Sequence, residues 1–177
     1  QASGTPSAVL VTADRRIGSW VVAGREAIAD LVERATAPEP EPAVAIGAAI
    51  PPLALPTLDG DELALADLVD RPTVALFWNP GCGYCQAMLE DLRGWERQRR
   101  DDEPRLVVIS SGTAGDTHAD GFASTVLLDE EFAAGNAFGA NGTPMGVLLA
   151  PDGTVASAVV AGSENVLGLL RARAATR

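Results

Sequence analysis

Two cysteines occur in the chain, Cys82 and Cys85, in the run Cys82-Gly83-Tyr84-Cys85. On a helix, residues i and i+3 share a face, and two thiols so placed reach disulfide distance with modest adjustment. The loop they would close is too small to staple a fold, and two cysteines make no structural framework. Zinc calls for about four ligands, whereas the sequence has no second cysteine pair and a single histidine, His118. A pair of inert core thiols is the bland alternative, but Pro80 and Gly81 put this pair at an element boundary, a poor place for a core. The chemistry that suits the pattern is reversible dithiol exchange. A Cys82 thiolate attacks a disulfide, and Cys85 resolves the mixed intermediate.

The flanking residues predict how the pair is held. Thr73–Trp78 is an apolar, β-branched run that reads as a buried strand, and Asn79, Pro80 and Gly81 break it. An amphipathic helical pattern begins near Cys82. Met88, Leu92 and Trp95 recur at i, i+4 and i+7 with Leu89 beside them, an inward stripe. Free N–H groups at the helix start and the helix dipole favour the thiolate of Cys82, with Cys85 a turn deeper. Arg97, Arg99 and Arg100 sit at the far end, where cations suit the dipole.

Before the central strand, Leu53–Leu58 reads as an edge strand confined by Pro51, Pro52 and Pro56. A turn at Asp59-Gly60 returns it through Leu63–Leu65, and a helical turn ends at Leu68 and Val69. After the long helix come a buried strand at Leu106–Ser110, a loop at Ser111–Gly121 with room for one helical turn, and a strand at Thr125–Leu128. A helix over Asp129–Ala137 follows. A strand pair, Met145–Ala150 and Thr154–Val160, turns at Pro151-Asp152-Gly153, and a last helix runs from Glu164 to about Ala174. This order predicts an α/β fold, a mixed sheet with helices on both faces.

Residues 1–35 repeat the end of the chain. A shift of 138 positions aligns residues 4–32 with 142–170 without a gap, and thirteen positions are identical, including Gly4-Thr5-Pro6 and Val21-Val22-Ala23-Gly24. The segment reads as strands at Val9–Val11 and Ile17–Val22 and a helix from about Arg25 to Arg34. It is expected to be the C-terminal part of a preceding unit. Residues 36–45, with the run TAPEPEP, form a Pro-rich spacer, and the second unit occupies 46–177. Forty-seven per cent apolar residues suffice for a core, and a formal charge of -11 argues against a nucleic-acid partner. Nowhere do eighteen apolar residues run together, so no span of the bilayer is expected. Gln1 stands where a Met would start a gene product, which suggests a fragment or processed form whose export signal or anchor lies outside this chain.

Residues 46–174 resemble the thioredoxin-like superfamily and, within it, the TlpA/ResA-like and MauD-like disulfide oxidoreductases. The resemblance rests on FWNPGCGYC at 77–85, LPTLDGDELALADL at 56–68 and GTP at 142–144. It implies a thioredoxin-like mixed sheet flanked by helices, with an added N-terminal hairpin. It also implies that Cys82 is the nucleophile, Cys85 the resolving thiol, and Pro144 a cis proline opposite them with Thr143 before it. Thr143 and Pro144 would pair with substrate backbone. Tyr84 and Trp78 are candidates to line the contact surface, although core packing explains Trp78 equally well. The implied activity is thiol–disulfide exchange, without cofactor or metal, between disulfide-containing proteins and an upstream thiol reductant, in an extracytoplasmic or membrane-associated setting. The unpartnered N-terminal segment is expected to dock, on its own domain or in a dimer. A thiol peroxidase is the alternative enzyme, but residues 75–82 lack its Pro-x-x-x-Thr-x-x-Cys arrangement. A non-catalytic binding module is the other alternative, and thiol reactivity would separate it. The sequence also departs from the family. Gly81 stands where many relatives have Trp, Leu76 where thioredoxins bury an acid, and Met88 where ResA-like proteins place a glutamate.

Overall fold

A computed structural model describes residues 6–9, 22–25, 28, 29, 32 and 44–172. The chain divides into two compact units, 1–40 and 41–177. In the first, β1 (Ser7–Ala8) pairs antiparallel with β2 (Val22–Ala23), Ser7 opposite Ala23 and Ala8 opposite Val22. Val9 lies just beyond β1 rather than opening a strand. The rest of the expected strands, residues 10–11 and 17–21, and the spacer at 36–43 lie outside the described residues.

The second unit opens with a hairpin of β3 (Ala54–Pro56) and β4 (Glu62–Ala64), with Leu55 opposite Leu63. A 3-10 turn, Leu65–Leu68, leads to β5 (Thr73–Trp78), all six residues of which are buried. The helix α1 (Gly83–Gln98) follows, then β6 (Arg105–Ser110), α2 (Ala114–Ala119), β7 (Thr125–Leu128) and α3 (Ala133–Phe138). The chain then returns through β8 (Met145–Leu149) and β9 (Val160–Ala161) to α4 (Ser163–Arg171). The main sheet runs β7-β6-β5-β8-β9, parallel on the β6 and β7 side and antiparallel on the β8 and β9 side.

β5 feeds both faces of that sheet, as the period-2 alternation of a strand requires. Ala75 and Phe77 pack on one side with Val107, Ile109, Leu127, Phe138 and Leu149. Val74, Leu76 and Trp78 face the other, against Cys85, Met88, Leu92 and Trp95 of α1 and Val166, Leu167 and Leu170 of α4. Each large side chain fully buried in this way contributes about 1.5–3 kcal/mol. The two clusters fix the end of β5, and the dithiol begins four residues beyond it.

Three elements differ from the sequence expectation. The strand over Thr154–Val160 is reduced to single bridges at Thr154 and Val155 and the two residues of β9. Ser157 explains part of the break, because its hydroxyl takes the N–H of Leu148 (2.9 Å) that a ladder would otherwise use. The helix expected from Asp129 starts at Ala133, because the Asp129 carboxylate sits outside it and accepts from the N–H groups of Ala133 (2.8 Å) and Ala134 (2.9 Å). The Ser111–Gly121 loop holds α2, whose N-cap Thr113 accepts from Asp116 N.

Candidate active site

Where β5 stops, a set of hydrogen bonds builds the turn that carries the first cysteine. The Asn79 carboxamide oxygen accepts from Gly81 N at 2.7 Å, and its main-chain carbonyl accepts from Cys82 N at 3.0 Å. The Asn79 amide donates to Ser111 Oγ (3.0 Å), and Ser111 N in turn donates to the carbonyl of Trp78 (2.9 Å). Pro80 lies against Gly112 so closely that a Cβ there would stand 2.5 Å from its ring carbons. Cys82 is left as the N-cap of α1 in an extended conformation, and Gln86 N closes the first helical bond on its carbonyl (3.0 Å).

The N-cap position sets the chemistry of Cys82. Burial works against its thiolate. The N–H of Cys85, the side chain of Thr143, the Cys85 thiol and the N–H of Tyr84 outweigh that effect and hold its pKa below the ordinary thiol value. A side chain at the N-cap accepts from the orphan N–H groups of the first turn, and a sulfur anion satisfies them as an oxygen would. Cys85 is the opposite case. It is fully buried beside Leu76, Met88 and Leu92, and burial pushes its pKa up to about 12. Leu76 and Met88 belong to the same apolar cluster as Cys85, so the wall around that thiol takes no carboxylate from those two positions.

Across from the dithiol, the Thr143–Pro144 peptide bond is cis. The Cys82 thiol donates to the Thr143 carbonyl at 3.3 Å. Pro144 passes directly into β8, and its carbonyl accepts from Gly162 N at 3.0 Å. An open cavity of about 330 Å³ lies on this edge, lined by Tyr84, Asn141, Thr143, Pro144, Met145 and Ser163 among others. Tyr84 is 68% exposed. Cys82, Cys85, Tyr84, Thr143 and Pro144 are thus brought to one place. Trp78 is not part of that surface, and the expectation that it lines the contact face is corrected. It is fully buried, its ring stands edge-on to Phe122 at 5.2 Å, and its Nε1 donates to Asp120 at 2.7 Å. The last inward side chain of β5 packs under α1 instead.

Gln86, Ser111, Gly112 and Asp120 escaped the sequence reading, and Asn79 entered it only as a strand breaker next to Pro-Gly, without its hydrogen bonds. The others meet the turn from distant stretches.

The family model of the thioredoxin-like domain matches residues 60–166, a span that includes both cysteines and Pro144. The chain belongs to the thioredoxin-like domain family. No curated protein matches it in sequence. Solved structures of similar fold include the thioredoxin domain of a thiol-disulfide oxidoreductase from Bacteroides vulgatus, 17% identical, with a TM-score of 0.58 over 72% of this chain and 99% of that one. A protein assigned as the thiol:disulfide interchange protein DsbE from Chlorobium tepidum is 20% identical, with a TM-score of 0.59 over 72% and 99%. A secreted disulfide oxidoreductase of Mycobacterium tuberculosis, described as homologous to E. coli DsbE, is 21% identical, with a TM-score of 0.55 over 67% and 93%. At these identities the likeness is one of fold. Within the thioredoxin-like fold, the pair spaced Cys-x-x-Cys forms a dithiol at the start of the first long helix, suited to thiol–disulfide exchange. Among the described residues, no helix is long and apolar enough to cross a membrane.

Proposed function

We propose that this thioredoxin-like chain is a protein thiol–disulfide oxidoreductase, with Cys82 as nucleophile and Cys85 as resolving thiol. The observation that carries the reading is the division between the two sulfurs. One is an N-cap thiol of lowered pKa beside an open edge, and the other is buried and strongly protonated. The Cys82 thiolate attacks one sulfur of a substrate disulfide. That S–S bond breaks, a mixed disulfide forms, and the departing sulfur leaves as a thiolate. That thiolate takes the proton of Cys85, which attacks the Cys82 sulfur, and the second substrate sulfur leaves as a thiolate. The chain ends with a Cys82–Cys85 disulfide, two electrons having passed to the substrate. A dithiol reductant returns them. Thr143, Pro144 and Tyr84 line the edge along which the substrate backbone lies.

Insulin reduction in the presence of a dithiol tests this reading. Cys82→Ser is expected to abolish turnover, and Cys85→Ser to accumulate mixed disulfides stable enough to isolate. Full turnover by Cys82→Ser would overturn it. The natural partners on this reading are proteins with accessible disulfides, in an extracytoplasmic setting like that of the secreted mycobacterial relative. Residues 1–35 belong, on the same reading, to a partial second thioredoxin-like unit. Support comes from the backbone as well as the sequence. Gly24 N donates to Pro6 O (2.8 Å) as Gly162 N donates to Pro144 O (3.0 Å), and Ile28 N meets Gly24 O as Val166 N meets Gly162 O, both at 3.1 Å. Gly24 and Gly162 have φ of 95° and 85°, and the β1–β2 register reproduces that of β8–β9 at the same shift of 138.

A further inference from the structure

The loop after α2 brings one acidic side chain under the dithiol turn. Asp120 is 6% exposed, and its two carboxylate oxygens take different donors. Oδ2 accepts from the indole Nε1 of Trp78 at 2.7 Å, and Oδ1 accepts from Nε2 of Gln86 at 3.0 Å. The same Gln86 nitrogen spends its second hydrogen on the carbonyl of Pro80, at 2.9 Å. Asp120 therefore grips the turn at both ends, through Trp78 where the strand stops and through Gln86 and Pro80 just before Cys82. Gln86 is also the residue whose main-chain N–H closes the first bond of α1 on Cys82.

The choice of an acid has a physical reason. A carboxylate accepts from two donors at once, whereas an amide of the same shape has one acceptor oxygen and would turn an NH2 toward a donor. Hydrogen bonds to a charged acceptor are also stronger than neutral ones. Among the described residues, no salt bridge reaches the Asp120 carboxylate. Arg93 of α1 reaches the main-chain carbonyl of Asp120, with Nε at 3.0 Å and with Nη2, rather than its carboxylate. His118, two residues earlier on α2, uses its carbonyl to accept from Gly121 N. The Asp120 main-chain N–H donates to Thr117 O at 3.1 Å, and the Thr117 hydroxyl meets Ser110 Oγ at 2.8 Å, so the acid is held to the end of β6.

We propose that Asp120 is a positioning residue for the dithiol, acting through Trp78 and Gln86 to hold the turn that presents Cys82 at the N-cap of α1. The proposal rests on Cys82 being the reacting thiol. Its effect runs through geometry: the N–H groups of Tyr84 and Cys85 stabilise the Cys82 thiolate only while the turn keeps the sulfur in front of them.

The test is the pH profile of Cys82 alkylation by iodoacetamide in the full chain, measured for Asp120→Asn and Gln86→Leu. Both variants are expected to move the inflection upward and to slow alkylation at neutral pH by roughly tenfold, the effect of losing one charge-assisted hydrogen bond. Combined in one chain, they should shift it little more than either alone, because they cut one connection. A part that only stabilised the fold would lower the melting temperature and leave the inflection in place. An unchanged inflection in folded Asp120→Asn overturns the proposal. Should that variant fail to fold, an unchanged inflection in Gln86→Leu, whose side chain is exposed, does the same. Because alkylation needs no protein substrate, failure here is separate from failure of the exchange assay with insulin.

Discussion

Cys82 and Cys85 lie one helical turn apart and have opposite surroundings. Hydrogen bonds lower the pKa of one thiol, and burial raises that of the other to about 12. Alkylation of the reduced protein is therefore expected to show an inflection below the free-thiol value of about 8.5, with one modified sulfur per chain until strongly alkaline pH. An inflection at or above the free value would remove the N-cap account of Cys82. The same shifts enter stability with opposite signs. Cys85, raised in the fold, contributes stability at neutral pH that is lost as pH climbs from the unfolded thiol value toward 12. Cys82, lowered in the fold, contributes above the unfolded value and loses that contribution as pH falls through its folded pKa. The reduced protein should melt at progressively lower temperature as pH rises beyond the unfolded thiol value, because Cys82 is by then ionised in both states and only Cys85 still differs between them. The thiol pair was legible from spacing alone. The acid beneath it was not: Asp120 lies 34 residues from Gln86 and 42 from Trp78, with no periodicity to link them.

At the scale of elements, the β5–turn–α1 unit could be read because a continuous apolar, β-branched run gives way at a Pro-Gly break to a pattern of period 3.6. The regions that misled have side chains in roles that no period records. Asp129 looks like the first residue of a helix and instead caps one from outside, and Ser157 replaces a rung of the expected ladder. Gly112 is the element-scale counterpart of Asp120, since its lack of a side chain lets the loop after β6 close on Pro80. Gly112→Ala would press a methyl into a rigid ring. We expect a loss of about 1–3 kcal/mol, typical of overpacking, together with slower alkylation of Cys82 as the turn shifts. Denaturant unfolding and alkylation on one preparation measure both. Unchanged values would mean the two loops separate at no cost.

For the whole molecule, the family match covers residues 60–166, and the dithiol, Thr143 and Pro144 all belong to the second compact unit. Removing residues 1–43 is expected to leave exchange intact and to change solubility or sedimentation instead. Loss of exchange with the fold preserved would show that the N-terminal segment contributes to the active surface. The likeness of residues 4–32 to 142–170 was visible in the sequence as thirteen identities at a constant shift. Its backbone parallel needed coordinates, because matching hydrogen bonds leave no trace in residue types.

The apolar wall around Cys85 also governs timing. With Leu76 and Met88 in that wall and the Cys85 pKa pushed up to about 12, the second sulfur, on the proposed exchange route, can attack the mixed disulfide only after a base takes its proton. The base nearest in time is the thiolate that the substrate has just released. A partner whose leaving sulfur is strongly basic thus brings its own means of release, and one whose leaving sulfur is weakly basic stays tethered. A cysteinyl peptide capped by an aromatic thiol should hold the adduct longer than the same peptide as a cysteinyl disulfide, since both leave the same sulfur on Cys82 and differ only in the base released first; the gap should close as pH rises, and equal lifetimes measured by stopped flow would show that proton loss from Cys85 is not the clock. The burial of one thiol would then make the chain a judge of its partners' leaving groups as well as a carrier of their electrons.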